Sequence, residues 1–266
     1  MKAEQIAIAT ANTQYGRLLR EKTGLQPFDE AGVDVLLLQE VIGFGSTTLE
    51  DYLTIANYSL VYADYDSGLA IATRQNTEFS LYAEAGKTEV IEPIGMLGRV
   101  AIRHELPFAQ RLRSRAVIFA QLRTPNDGYF EVGTTHPIVF TRFLARKRQL
   151  QSLAREANLR ATRGEAFILG ADMNHYPSPR KADEKMMTET RMQRVPLHEP
   201  TWRIRGSKHE WIARIGSAVT GRSLDSFDAQ LDSMLYRGSN LALIGTEVID
   251  IQSDHRSIIG RFALST

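Results

Sequence analysis

The chain contains no cysteine. Disulfides, thiolate-bound metals and a cysteine nucleophile are therefore excluded, and nothing signals an oxidising compartment. Histidine is scarce, six in 266 residues, with no His-x-x-x-His pair, so a zinc centre is a poor expectation. Long hydrophobic runs are missing: no apolar stretch approaches the roughly 20 residues that span a bilayer. Ile6 to Ala11 is too short for the core of a secretory leader, and Glu4 precedes it. Internal repeats, low-complexity tracts and Gly/Ser- or Pro-rich linkers are absent as well. These absences lead to the expectation of one cytoplasmic domain over residues 1–266, with no membrane association and no obligate protein partner, probed most simply as a monomer.

What is present is ordinary for a globular protein: 43% apolar and 24% charged residues, enough chain to bury about three quarters of its unfolded surface. The net charge of +1 conceals an uneven distribution. Residues 1–98 carry 6 Lys/Arg against 14 Asp/Glu, residues 99–222 carry 23 against 11, and residues 223–266 carry 3 against 6. A basic middle third can face a polyanion, or be scattered solvated side chains.

Apolar periodicity predicts buried strands over 5–11 and 33–39, joined by a helical connection that Pro27 interrupts. Thr47-Thr48-Leu49-Glu50 has the form of a capping box. Short β-rich runs follow at 58–63, 68–73 and 78–83. Residues 115–122 and 129–135 read as a hairpin around Pro125-Asn126-Asp127-Gly128. The strongest helix is 141–162, with Phe143, Leu150, Leu153 and Ala157 on one face and Gly164 as its stop. A strand at 166–170 precedes a polar stretch, 175–225, expected to be loops and one short helix. Strands near 231–236, 242–249 and 256–263 close the chain. Many short strands with few helices suggest two packed sheets flanked by helices.

Six short segments each place a metal- or phosphate-binding side chain at or just past such a strand. They are Ala9-Thr10-Ala11-Asn12, Leu36-Leu37-Leu38-Gln39-Glu40, Thr134-Thr135-His136, Leu169-Gly170-Ala171-Asp172-Met173-Asn174, Leu231-Asp232 and Ser253-Asp254-His255. Strand ends hold side chains rigidly and can converge on one cleft. Taken singly, each carboxylate is an unremarkable turn or cap residue. In this order and spacing, from residue 6 to about 262, the set resembles the endonuclease/exonuclease/phosphatase superfamily, the deoxyribonuclease-I-like metal phosphoesterases.

That resemblance implies a four-layer α/β sandwich, in which two mixed β-sheets pack face to face between α-helices. It implies Mg²⁺ or Mn²⁺, with Glu40 as principal ligand, Asn12 beside the metal and Asp254 completing the acidic site. Asp172 would orient or deprotonate the attacking water, and Asn174 would hydrogen-bond a phosphate oxygen. His255 would contact the phosphate, held in orientation by Asp232, and His136 would stabilise charge on the transferring group. The chemistry agrees: hard oxygen ligands suit Mg²⁺ and Mn²⁺, and an Asp–His pair favours a protonated, phosphate-binding imidazole. Two departures are visible. The family commonly has Gly-Asp-x-Asn where this chain has Gly170-Ala171-Asp172, and Pro137 follows His136, biasing it toward an extended backbone.

Thr201-Trp202 matches an element found before the late Leu-Asp motif in relatives. Trp202 with Arg203 and Arg205 could stack on a base and hold phosphates, or Trp202 could simply be a packed aromatic. The cluster Arg111, Arg113, Arg115 adds basic character. Superfamily membership alone does not choose a substrate. The arginines favour a nuclease acting on DNA. The alternative is a phosphatase or phosphodiesterase on a small phosphorylated metabolite or lipid headgroup, and a third reading is a protein that only binds nucleic acid.

Overall fold

A computed structural model describes residues 4–21, 23–75, 77, 79–89, 116–126, 128–137, 143–161, 166–173, 180–203, 210–220, 223 and 228–265. One sheet has the order β11-β12-β1-β2-β4-β3, built from β1 (Glu4–Asn12), β2 (Val35–Gln39), β3 (Tyr58–Asp64), β4 (Leu69–Arg74), β11 (Leu241–Ile249) and β12 (Ser257–Leu264). The other has the order β5-β6-β7-β8-β10-β9, from β5 (Ser80–Glu89), β6 (Ala116–Arg123), β7 (Tyr129–Thr135), β8 (Ala166–Asp172), β9 (Gln193–Arg194) and β10 (Asp232–Arg237). Each is mixed: β1 with β2 and β7 with β8 are parallel, and the other pairings are antiparallel.

Three apolar clusters define four layers. Between the sheets lie Ile6, Ile8, Val35, Leu37, Ile118, Phe130, Val132, Ile168, Met234 and Phe262. The outer face of the first sheet packs against α1 (Arg17–Arg20), α2 (Gln26–Glu30) and α3 (Ser46–Ile55) through Leu18, Phe28, Leu49 and Leu53. The outer face of the second packs against α4 (Phe143–Ala161) and α5 (Arg180–Thr190) through Leu150, Leu153, Ala157 and Met186. A further helix, α6, spans Glu210–Thr220. The expected α/β sandwich of two face-to-face sheets is the fold.

Local expectations differ in three places. Pro27 sits in the first turn of α2 rather than breaking a helix, where its missing N–H costs nothing. Gly45, not Thr47, is the N-cap of α3, and no side chain caps it, so the capping box does not form. The stretch 175–225 holds two helices of 11 residues, α5 and α6, instead of one short helix. The α5 sequence is mostly polar, and Met186 with, in part, Met187 packs it into the cluster it shares with α4. Gly164 lies outside the described residues.

The alternation of strands explains where the site is. On β1, residues Ile6 and Ile8 face the core between the sheets, so the period of two puts Thr10 and Asn12 on that same inner face. The same parity aligns Val35, Leu37 and Gln39 on β2, Ile168, Gly170 and Asp172 on β8, and Phe130, Val132 and Thr134 on β7. The inner rows are apolar until their last rungs and then turn polar at one end of the sandwich.

Gly170 belongs to that polar rung. A Cβ there would lie 2.6 Å from Thr10 Oγ1, 2.7 Å from Thr10 Cβ and 2.9 Å from Leu37 Cδ1. The sheets therefore approach closely just beneath the site, where glycine leaves the room that a side chain would take. Gly170→Ala is expected to lose about 1–3 kcal/mol through overpacking, seen as a lower midpoint in thermal unfolding. An unchanged midpoint would mean that the sheets do not meet there.

Candidate active site

Below the site is a buried polar tie between the sheets. Gln39 Nε2 lies 2.9 Å from Thr10 Oγ1, 2.9 Å from the Leu37 carbonyl and 2.7 Å from Thr134 Oγ1. It joins the three strands whose ends carry Asn12, Glu40 and His136. Sequence reading passed over Gln39. Its signal was a fully buried parity position occupied by an amide in an otherwise apolar strand.

One rung further out, the predicted residues meet. Asn12 Nδ2 donates to Asp172 Oδ2 at 2.8 Å. Asp172 and Asp232 are directly paired in the antiparallel register of β8 with β10. Asp232 Oδ2 lies 2.8 Å from His255 Nδ1, so the imidazole presents Nε2 to Asp172 Oδ2 at 3.9 Å. His136 Nε2 approaches Asp172 Oδ2 at 3.5 Å and Glu40 Oε1 at 4.0 Å. Asn12, His136, Asp172, Asp232 and His255 are all buried.

Glu40 is aimed by its backbone. Its φ of 57° is left-handed, a conformation that costs a non-glycine residue about 1–2 kcal/mol and that clusters at functional sites. The preceding loop has the same character, with φ of 49° at Gln14, 57° at Tyr15 and 74° at Gly16. That turn points its amides into the site: Tyr15 N–H donates to Glu40 Oε2 at 3.0 Å, and Gln14 N–H to Asn12 Oδ1 at 2.9 Å. Glu40 Oε1 is left toward His136 and Asp172.

A second set of residues fixes the Asp232–His255 pair. Thr201 Oγ1 accepts the Asp232 N–H at 2.9 Å, and its carbonyl accepts the Arg256 N–H at 2.6 Å. Ser253 Oγ accepts the His255 N–H and donates to the Asn12 carbonyl, both at 3.2 Å. The buried Arg256 guanidinium holds Asp250 at 2.9 Å and also pairs with Glu199. Thr201, Ser253 and Arg256 were not assigned these positions from sequence, because hydrogen bonds between distant loops leave no periodic trace.

Charge in this enclosed space shifts protonation. Burial raises the Asp172 carboxyl to about 7, with Asp232 and Glu40 adding to the rise while His255 and the Asn12 amide oppose it. Burial would lower His255, but Asp232 and Asp172 outweigh it and push the imidazole up to about 10. The pair is thus set for a proton-accepting Asp172 beside a cationic His255.

The donor set fits a divalent cation. Among the described residues, ligand atoms of Glu40, His136 and Asp172 lie within 4.8 Å of one another, as do those of Asp172, Asp232 and His255. The mutual repulsion of these carboxylates is what such an ion relieves. Asp254 joins neither cluster; it is half-buried at the rim, its carbonyl accepting the Arg203 N–H at 3.4 Å. Trp202 is half-buried and bridges both Ala229 and His255. Arg203 is exposed and faces Asp250 at 3.2 Å. Asn174, Arg205 and Arg113, with its neighbours Arg111 and Arg115, lie outside the described residues.

A four-layer sandwich with buried Asp, Asn and His side chains converging at one end of its paired sheets is the architecture of phosphoester hydrolases. The sequence profile of the Endonuclease/Exonuclease/phosphatase family matches residues 9–255, and the chain belongs to that family. No curated protein sequence matches it. Solved structures sharing the fold include the human Nocturnin catalytic domain with bound sulfate anion (14% identity, 99% of this chain and 98% of that one, TM-score 0.66). Another is TDP2 of D. rerio complexed with single strand DNA product (15%, 97% and 99%, TM-score 0.66). A third is a mannosyl-6-phosphatase of Bacteroides thetaiotaomicron (12%, 97% and 99%, TM-score 0.64). Members of the family act on phosphate esters and use divalent metals. No helix among the described residues is long and apolar enough to cross a membrane.

Proposed function

We propose that this protein is a divalent-metal-dependent phosphodiester hydrolase whose substrate is nucleic acid, DNA foremost. The observation that carries the chemistry is the buried chain Asn12–Asp172, with Asp232–His255 beside it and Glu40 and His136 opposite. Asp172 accepts a proton from the attacking water. Its raised position near neutrality suits a general base. The water oxygen forms the new bond to phosphorus, the ester oxygen leaves with the electron pair of the broken bond, and solvent protonates it. His255, cationic and fixed by Asp232, stabilises the growing charge on the phosphoryl oxygens, with His136 on the other side. Asn12 holds Asp172 in one rotamer. Glu40 would hold Mg²⁺ or Mn²⁺, with Asn12 beside it and Asp254 at the rim, and the bound ion would neutralise charge at the phosphate.

Metal dependence is the first test. Activity should vanish in chelator and return with Mg²⁺ or Mn²⁺. Glu40→Gln should raise the metal concentration for half activity by about tenfold or more. Full activity after exhaustive chelation, verified by elemental analysis, would remove the metal from the reaction.

For the polymer, the support is the basic balance of residues 99–222 and the place of Trp202 and Arg203 against His255 and Asp254. The Arg203–Asp250 pair is exposed, and such pairs are worth little, so a phosphate can displace the carboxylate. Affinity for DNA should fall with salt at a slope near −0.7 to −0.9 per contacted phosphate, and replacing Arg203 and Arg205 by alanine should flatten it. The alternative substrate, a small phosphorylated metabolite or headgroup, draws on Arg203 already facing Asp250. Turnover of single-stranded, double-stranded and abasic oligonucleotides against sugar phosphates and a chromogenic diester decides between them. A flat salt dependence with turnover only on the small esters would leave a metal-dependent phosphoesterase that is not a nuclease.

A further inference from the structure

Helix α6 leaves two large apolar side chains in solvent. Trp211 and Ile215, four residues apart and so on one face, are 63% and 57% exposed. Ala218 continues that stripe and is exposed too. Glu210 and Ser217, on an adjacent face, are half-buried.

The excursion that carries α6 is rooted at the active site. Trp202 N–H donates to the Ala229 carbonyl at 2.9 Å, and Ala229 N–H donates back to Trp202 at 3.0 Å. The chain therefore leaves and returns at a single point, and the same Trp202 bridges His255. Helix α6 belongs to that excursion, whose two ends are tied together beside His255. Over 203–222 the sequence carries Arg203, Arg205, Lys208, Arg214 and Arg222 against Glu210 alone. Arg214 lies beside the stripe, its side chain 69% exposed and paired with Glu210 one turn earlier.

We infer that α6 is a substrate arm, on which Trp211, backed by Ile215, stacks an unpaired base of single-stranded nucleic acid a few nucleotides from the phosphate being cleaved. This rests on the nuclease reading. A flat aromatic face with neighbouring cations is what base and backbone of a single strand recognise together. A duplex keeps its bases stacked, so the arm favours unpaired ends and single strands.

The chain has two tryptophans, so the Trp202→Phe variant makes Trp211 the sole tryptophan. Its fluorescence is titrated in chelator with a twelve-nucleotide oligothymidylate, the matching duplex, and phosphatidylglycerol vesicles. Quenching by the single strand in preference to the other two is expected. In kinetics with metal, Trp211→Ala should raise KM for the single strand roughly ten- to hundredfold with a smaller change in kcat. Trp211→Phe should restore most of the loss. Ile55→Ala, which removes another exposed apolar side chain (71%) on α3, should leave KM where it was. Unchanged KM in Trp211→Ala while the parent enzyme cleaves oligonucleotides would overturn the arm and leave the nuclease reading standing. Quenching by vesicles alone would overturn it in favour of a lipid surface. A parent enzyme that neither binds nor cleaves oligonucleotides would overturn both readings.

Discussion

Asp172→Asn is expected to lower kcat by roughly 10²–10⁴-fold, the usual worth of a positioned general base, with a far smaller effect on substrate affinity. The substitution is nearly isosteric and the amide can still meet Asn12, so folding and metal binding serve as controls. The pH dependence carries a second signature. Asp172 works ionised, and burial, with Asp232 and Glu40, raises its carboxyl to about 7. The rate of the parent enzyme should therefore rise with pH through an apparent pKa at or below 7, moving lower as added Mg²⁺ favours the ionised form. In Asp172→Asn that limb should disappear. Near-normal turnover, or an acid limb that survives the substitution, would assign the base elsewhere.

His255→Ala should be nearly as severe, about 10²–10³-fold in kcat, because it removes a fixed cation facing the developing charge. Asp232→Asn is the more instructive companion. It leaves the imidazole in place but deletes the carboxylate at 2.8 Å that, together with Asp172, outweighs burial and holds His255 protonated up to about 10. The sign follows: the active form is the protonated one, so activity declines as pH rises through the His255 pKa. In Asp232→Asn this alkaline limb should move toward neutrality. If kcat falls in His255→Ala but the alkaline limb of Asp232→Asn stays where it was, His255 acts by some route other than its charge.

Much of the site was legible because strands write their geometry into sequence with a period of two. Asn12, Asp172 and His136 each end a run whose buried partners share their parity, and Glu40 directly follows such a run. The motif order then matched a family profile over residues 9–255. Gln39, Thr201, Ser253 and Arg256 were not legible in the same way. Each acts through partners far along the chain: Gln39 through Thr134, Ser253 through Asn12, and Thr201 through Asp232. Helices α5 and α6 were underestimated for a related reason. Among the described side chains α5 buries Met186 and Thr190, and α6 leaves Trp211 and Ile215 exposed, so neither is tied to the core by the broad buried face that marks the other helices.

Sequence alone determined that this chain holds alternating strands ending in acidic, amide and imidazole groups, without thiols, in an order that defines its family. Covalent order and the two-residue repeat of a strand are local properties, and they survive without any knowledge of packing. Tertiary structure decided which ends meet. The antiparallel register of β8 with β10 set Asp172 against Asp232, the narrow approach at Gly170 brought the two sheets together beneath them, burial raised Asp172, and the neighbouring carboxylates raised His255 against its burial. Those effects depend on distance and solvent exclusion, which exist only once the sheets have closed on each other.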